Sequence, residues 1–263
     1  MILIVSRFGR MNKYPDQVMM RKTLAAFLRS LDNQTDKGFR AFLSCHDVPE
    51  GFNYPWLEWC SMAANPENSG TKYWKRFPIN LDDLGERIVC TYGSKIQDSG
   101  RKGIHSVIKA GQWAYRNGLK DFWIMRMDSD DMLAKRTIET IHALDKQGIE
   151  AIYNRRCHIF DARTREIGEY NYRSSTTCNA LKMRIEKNIL LRWFYLCTNH
   201  TRFISDVRRD KIKFKEVDWT YCIVTNSRNS ISSRPTLTAE RWARKIGMTK
   251  KLSDRYGLDQ FGR

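Results

Sequence analysis

Phe122-Trp-Ile-Met-Arg-Met-Asp128-Ser-Asp-Asp131 is an apolar run that empties into three carboxylates within four residues. Phe122 to Met127 has the length and composition of a buried strand, and the carboxylates stand at its carboxyl end. Helical patterns flank it on both sides. Upstream, Ile104, Val107, Ile108, Gly111 and Tyr115 line one helical face, and Gly118 is placed to stop that helix. Downstream, the spacing predicts a helix over 134–146 with Ile138, Ile141 and Leu144 inward, then Gly148 and a strand from Ile149 to Tyr153.

The same alternation extends to the N-terminus. Ile2-Leu-Ile-Val5 reads as a first buried strand running into the polar Ser6-Arg7-Phe8-Gly9. Asp16 is placed to cap a helix bearing Leu24, Ala25, Leu28 and Leu31, which Asn33-Gln34-Thr35-Asp36 ends. Phe39 to Cys45 and Arg87 to Tyr92 are further strands. Strands and helices alternating at these lengths specify an α/β fold, a Rossmann-like and mostly parallel sheet flanked by helices, with ligands expected beyond the carboxyl ends of the strands.

Residues 46–83 interrupt the pattern with Pro, Asn, Gly and aromatics, as in Phe52-Asn-Tyr-Pro-Trp-Leu-Glu-Trp59 and Tyr73-Trp-Lys-Arg-Phe77, and read as a loop or small insertion. The expected organisation is therefore a ligand-binding half over 1–154 carrying that insertion. A less regular second half follows over 155–237, with short strand candidates at His158 to Phe160 and Tyr221 to Thr225. Residues 238–263 are a basic C-terminal tail. At 263 residues and 41% hydrophobic content the chain can bury one large core.

Forty-six Lys and Arg against 29 Asp and Glu give a formal charge of +17, which selects polyanionic partners: nucleic acid, an anionic membrane face or phosphorylated substrates. No nucleic-acid motif accompanies the charge, and the basic residues are spread along the chain, so no specific nucleic acid is expected. The seven cysteines are odd in number and lie scattered in apolar runs, the pattern of reduced thiols in a cytoplasmic protein. The apolar runs at Ile2–Val5 and Ile189–Cys197 are too short for a signal core or a membrane span. The tail, with Arg241, Arg244, Lys245, Lys250, Lys251 and Arg255 around Trp242, Ile246 and Leu252, could touch an anionic membrane peripherally or form a solvated helix.

Three adjacent carboxylates repel one another unless something positive offsets them. Oxygen donors at this density suit Mg²⁺ or Mn²⁺, which can bridge to a diphosphate. The alternative is a helix cap, since Asp130 or Asp131 would be favoured by the dipole of the helix that follows. An EF-hand is excluded because its turn glycine and late glutamate are missing at their offsets.

Four pieces in order resemble the inverting family 2 glycosyltransferases of the GT-A fold, and among them the rhamnosyltransferase-like branch. These are Ser6-Arg-Phe-Gly9 after the first strand and Ser30-Leu-Asp-Asn-Gln-Thr35 at the end of the first helix. The others are Arg101-Lys-Gly-Ile-His105 running into Ala114-Tyr-Arg-Asn-Gly118, and Met125-Arg-Met-Asp128-Ser-Asp-Asp131 as an arginine-containing DxD motif. The resemblance covers about the first half of the chain. It implies a nucleotide-diphosphate sugar as donor, Asp128 near the ribose or sugar, and Asp130 on the metal, with Asp131 as the alternative ligand.

Arg7 and Asp47 are then candidates to flank the nucleotide base; the alternatives are a surface arginine and a turn ahead of Pro49. Arg101 and Lys102, near a helix N-terminus, are candidates for phosphate oxygens or an ordinary solvated pair. Arg126, one residue inside an apolar strand, needs a carboxylate partner. Inverting transfer also needs a general base, for which Asp218 or Glu216 in Phe214-Lys-Glu-Val-Asp-Trp219 are the candidates and Asp206 a weaker one. His200, after the most apolar segment of the second half, could be a further metal contact or a structural histidine. Cys197 and His200 lack a second zinc pair, so zinc is discounted. Trp193, Trp219 and the aromatics of 52–77 could stack on sugars or belong to the core.

The function this predicts is metal-dependent transfer of a sugar from a nucleotide-diphosphate donor to a glycan or lipid-linked acceptor. The alternative is a basic nucleic-acid-binding protein, or a nucleotidyltransferase or nuclease using the same carboxylates. A carbohydrate-binding relative without activity is a third possibility, disfavoured because binding alone does not require three carboxylates together.

Overall fold

The computed structural model of the chain describes residues 1–8, 17–61, 98–162, 164–170, 178–184, 203–225 and 244–261. The expected strand at Arg87 to Tyr92, the cap at Asp16, the apolar patch at Ile189 to Cys197 and the candidates His200 and Trp193 lie outside these residues, and so does the side chain of Trp219. In chain order the elements are β1 (Ile2–Arg7), α1 (Gln17–Asp32), β2 (Phe39–Cys45), β3 (Leu57–Ser61), α2 (Asp98–Arg116), β4 (Asp121–Arg126) and β5 (Asp131–Leu133). There follow α3 (Thr137–Lys146), β6 (Ala151–Asp161), β7 (Ile167–Tyr170), β8 (Ala180–Arg184), α4 (Phe203–Arg209), β9 (Phe214–Thr225), β10 (Arg244–Ile246) and α5 (Lys250–Tyr256).

These elements form two compact units. The first comprises Met1–Arg10, Gly38–Asp128 and Asn179–Lys213. Its sheet has the order β8-β4-β1-β2-β3. Ile2, Leu3, Ile4 and Val5 are all buried, as a strand flanked on both sides and covered on both faces requires. β1 runs parallel to β2, with Ile2 opposite Phe39 and Arg7 opposite Ser44, and parallel to β4, with Ile2 opposite Trp123 and Val5 opposite Arg126. β3 is parallel to β2, and only β8 is antiparallel. The mostly parallel α/β expectation therefore holds. β3 also corrects the view of 46–83 as irregular throughout, because Leu57 to Ser61 lengthens the sheet by one strand.

α2 lies against β1, β2 and β3. Val107, Ile108, Ala110 and Ala114 are buried on it, whereas Tyr115, expected on that face, is 53% exposed. Gly118 ends the helix at φ +68 with nothing within 4 Å of a Cβ built there. Gly118→Ala is therefore expected to cost only the left-handed backbone penalty, about 1 kcal/mol, read as a lower urea midpoint.

The second unit comprises Met11–Lys37, Ser129–Cys178 and Phe214–Arg263. β6 is central, pairing parallel with β9 and antiparallel with β7; β7 pairs with β10, and β9 with β5. The strand candidates at Ile149–Tyr153 and His158–Phe160 are one strand of 11 residues, and Tyr221–Thr225 is the end of another of 12. α1 buries Met20, Leu24, Phe27, Leu28 and Leu31.

Two corrections fall in this unit. The predicted helix 134–146 begins only at Thr137, because Asp131 to Leu133 pairs as a strand with β9. Asp130 and Asp131 are thus no helix cap, and the residue at the cap position, Arg136, makes no side-chain capping bond. In the C-terminal stretch Lys250 and Lys251 are exposed on α5, while residues that follow them in the chain pack inward. Tyr256 and Leu258 are buried in a cluster with Met132, Phe160, Ile167 and Cys222. Thr249 caps α5 through Leu252 N–H, and Gly257 ends it in the left-handed region. No described helix is long and apolar enough to cross a membrane.

Candidate functional site

Because β1, β2 and β4 are parallel, their carboxyl ends share one edge of the first unit's sheet, and the backbone keeps them together beyond the ladder. Phe8 N–H donates to Ser44 O at 2.8 Å and Met127 N–H to Val5 O at 3.0 Å. Arg7, at the end of β1, is thereby brought to Asp128, with Nη2 and Oδ1 3.3 Å apart. Both side chains are about one-quarter exposed, 28% and 26%, so the pair contributes less than about 1 kcal/mol to stability and is open to a ligand. Arg126 ends β4 half-buried, its N–H donating to Asn179 O at 3.2 Å.

The end of β2 carries the rest of this edge. Ser44 is fully buried and its Oγ lies 2.9 Å from His105 Nδ1 on α2. Burial and the neighbouring Lys109 charge hold His105 down to about 4, so the ring is neutral at pH 7. Lys102, one turn earlier on α2, is 4% exposed. Burial pushes the Cys45 thiol up to about 11; Asp47 adds to the rise and Lys102 opposes it, which places both charges beside this strand end. Asp47 itself is exposed. Arg101 lies on the same helix, with its side chain outside the described residues.

In the second unit the acidic segment continues as Ser129, the half-buried Asp130 and Asp131, which is 2% exposed. Asp131 is close enough to raise the thiols of Cys157 and Cys222 and the Tyr221 hydroxyl, although burial is the larger cause for each. The described cysteines Cys45, Cys60, Cys157, Cys178 and Cys222 are all buried and free.

Among the described residues, no three His, Cys, Asp or Glu side chains are gathered to hold a metal. The donor set this leaves fits an ion that takes one or two carboxylates and completes its shell with phosphate oxygens and water, as Mg²⁺ does.

The candidate bases sit together on β9. Asp218 faces Arg155, with Oδ2 3.1 Å from Nη2 and Oδ1 3.4 Å from Nε; Glu216 Oε2 lies 3.9 Å from Nη1 of the same arginine. Asp218 precedes by five residues Ile223, the strand partner of Asp131, a separation of about 16 Å along an extended chain. Asp206 is buried and paired with Arg209 at 3.0 Å. Arg155 was not foreseen, and the alternation of β6 was the signal that could have found it: a charged pair interrupting an apolar strand needs acidic partners. His105 was foreseen only as part of a motif, and Lys102 as a phosphate candidate but not as a buried one, because nothing local says that they are buried.

No protein-family model and no curated protein matches this sequence. The chain is structurally similar to a crystal structure from Desulfovibrio desulfuricans G20 described as a "putative nucleotide-diphospho-sugar transferase". The TM-score is 0.37 and the identity 11%, over 99% of this chain and 96% of that one. At that level of likeness, function rests on this chain's own residues.

Proposed function

We propose that this protein is a glycosyltransferase of the GT-A type that uses a nucleotide-diphosphate sugar. The observation that carries the proposal is the one-quarter-exposed Arg7–Asp128 pair at the carboxyl edge of the parallel sheet, with the buried Lys102 of α2 beside Cys45 at the end of β2 on that edge. Such an edge is where α/β sheets bind nucleotides, and a cation near a helix N-terminus suits phosphate oxygens. Asp128 then takes the ribose or sugar, with Arg7 and Asp47 toward the base. Arg101, Lys102 and Arg126 neutralise the diphosphate.

Asp130, with Asp131 as the alternative, would hold Mn²⁺ or Mg²⁺, which when bound neutralises charge on the departing diphosphate. Asp131 is the more enclosed of the two, so Asp130 is assigned the ion. His200 is retained as a further metal contact. In inverting transfer an acceptor hydroxyl oxygen bonds to the anomeric carbon, the bond from that carbon to the diphosphate oxygen breaks, and a carboxylate takes the hydroxyl proton. Asp218 and Glu216 are assigned that role on the acceptor side, for a glycan or lipid-linked acceptor, with Arg155 fixing their orientation.

The test is to incubate the protein with UDP-, GDP- and dTDP-sugars and Mn²⁺ and follow nucleoside diphosphate release. Asp130→Ala is expected to lower release by about a hundredfold or more, the scale of removing a transition-state charge contact, and EDTA to abolish it. Failure to bind any of these donors overturns the proposal.

A further inference from the structure

From the last residue of β5 to the first turn of α3, backbone groups are paired outside ladder and helix, and the partners come largely from one place. Leu133 N–H donates to Ser30 Oγ at 3.1 Å. Ala134 O accepts from Gln34 Nε2 at 2.9 Å, and Ile138 N–H donates to Gln34 Oε1 at 3.2 Å. Lys135 O accepts from Thr35 N–H at 3.0 Å, while Lys135 N–H donates to Arg255 O at 3.1 Å. Gln34 is 2% exposed, and its second amide hydrogen goes to Ser30 O at 2.9 Å. Its side chain thus joins the end of α1, the turn after β5 and the first turn of α3.

We propose that Ser30, Gln34 and Thr35 are positioning residues that fix the limb carrying Asp130 and Asp131, so that the end of α1 sets where those carboxylates stand. The segment Ser30-Leu-Asp-Asn-Gln-Thr35 thereby acquires a physical role. A buried amide satisfied on both its nitrogen and its oxygen has one orientation, so its bonds to Ala134 O and Ile138 N–H hold the turn and the first turn of α3 in fixed register with the end of α1. Methionine fills the same volume and supplies none of the three bonds. The functional half of this inference rests on Asp130 serving the donor's metal.

Two measurements separate the inference from that reading. Amide hydrogen exchange on the protein without ligand compares wild type, Gln34→Met and Leu144→Ala; Leu144 is buried on α3 and makes none of these bonds. Gln34→Met is expected to speed exchange at Leu133, Lys135 and Ile138 at least about tenfold beyond Leu144→Ala in urea adjusted to equal stability. Equal exchange in the two variants overturns the proposal.

Mn²⁺ titration in the presence of UDP, GDP and dTDP, followed by electron paramagnetic resonance, then reads the carboxylates. About tenfold weaker binding in Gln34→Met than in Leu144→Ala supports positioning, and equal binding overturns it. If wild type binds no Mn²⁺ with any of the three nucleotides, the metal assignment of Asp130 falls, and the exchange comparison alone decides whether α1 holds the limb.

Discussion

Tyr256→Ala is expected to destabilise the second unit by about 3–5 kcal/mol, the range for deleting a large buried aromatic. Tyr256 is fully buried, and its hydroxyl lies 2.7 Å from His158 Nδ1. The two rings meet edge to face at 5.5 Å. Around them Met132, Ala134, Phe160, Ile167, Cys222 and Leu258 form one apolar cluster, so alanine would leave a cavity among residues held by four strands. Tyr256→Phe keeps the volume and removes only the hydroxyl, and is expected to cost about 1–2 kcal/mol by leaving the His158 nitrogen unsatisfied. Urea denaturation checks both. An alanine variant as stable as wild type would show that the C-terminal residues are dispensable to this core.

Acidification is expected to have an effect of similar size. Burial, aided by Lys109 at His105 and by Arg255 at His158, lowers both histidines from 6.5 to about 4. Between pH 6.5 and 4 the unfolded chain binds protons that the folded chain refuses, so stability falls as pH falls through this window and levels off below about 4. Each histidine contributes up to about 3 kcal/mol to that loss, at about 1.4 kcal/mol per pKa unit. Urea midpoints at pH 7.5, 5.5 and 4.5 should decline steeply. His105→Asn and His158→Asn, although less stable at pH 7.5, should each flatten the decline; an unchanged slope in both would show that the histidines are already charged in the folded protein.

The strands legible in the sequence were those whose composition alone marks them. Ile2 to Val5, Phe39 to Cys45 and Phe122 to Met127 are runs that water excludes from both faces, and the sheet uses each as a strand. Leu57 to Ser61 was hidden among aromatics and prolines, because a strand that is only partly buried has no apolar run to announce it. The length of β6 was hidden as well, since Arg155 and Arg156 interrupt it and local pattern reads such a charge as an end. The exposure of Tyr115 and the burial of Tyr256 and Leu258 were hidden for a common reason: periodicity and charge describe a segment's own face and say nothing about what it packs against.

The candidate site divides in the same way. The carboxylates, Arg7 and Lys102 could be named from type and order, because a nucleotide-diphosphate needs cations and a metal needs oxygens. Their individual environments could not. The pairing of Arg7 with Asp128 depends on two parallel strands ending at one level, and the burial of Asp131 on a three-residue strand that α1 and β9 enclose. Phe122 to Asp131 by itself determined a buried strand ending in concentrated negative charge. Only the tertiary structure decided that those carboxylates divide among an ion pair, a half-buried turn and a buried strand position, because solvent exposure and counter-charge come from residues more than a hundred positions away in the chain.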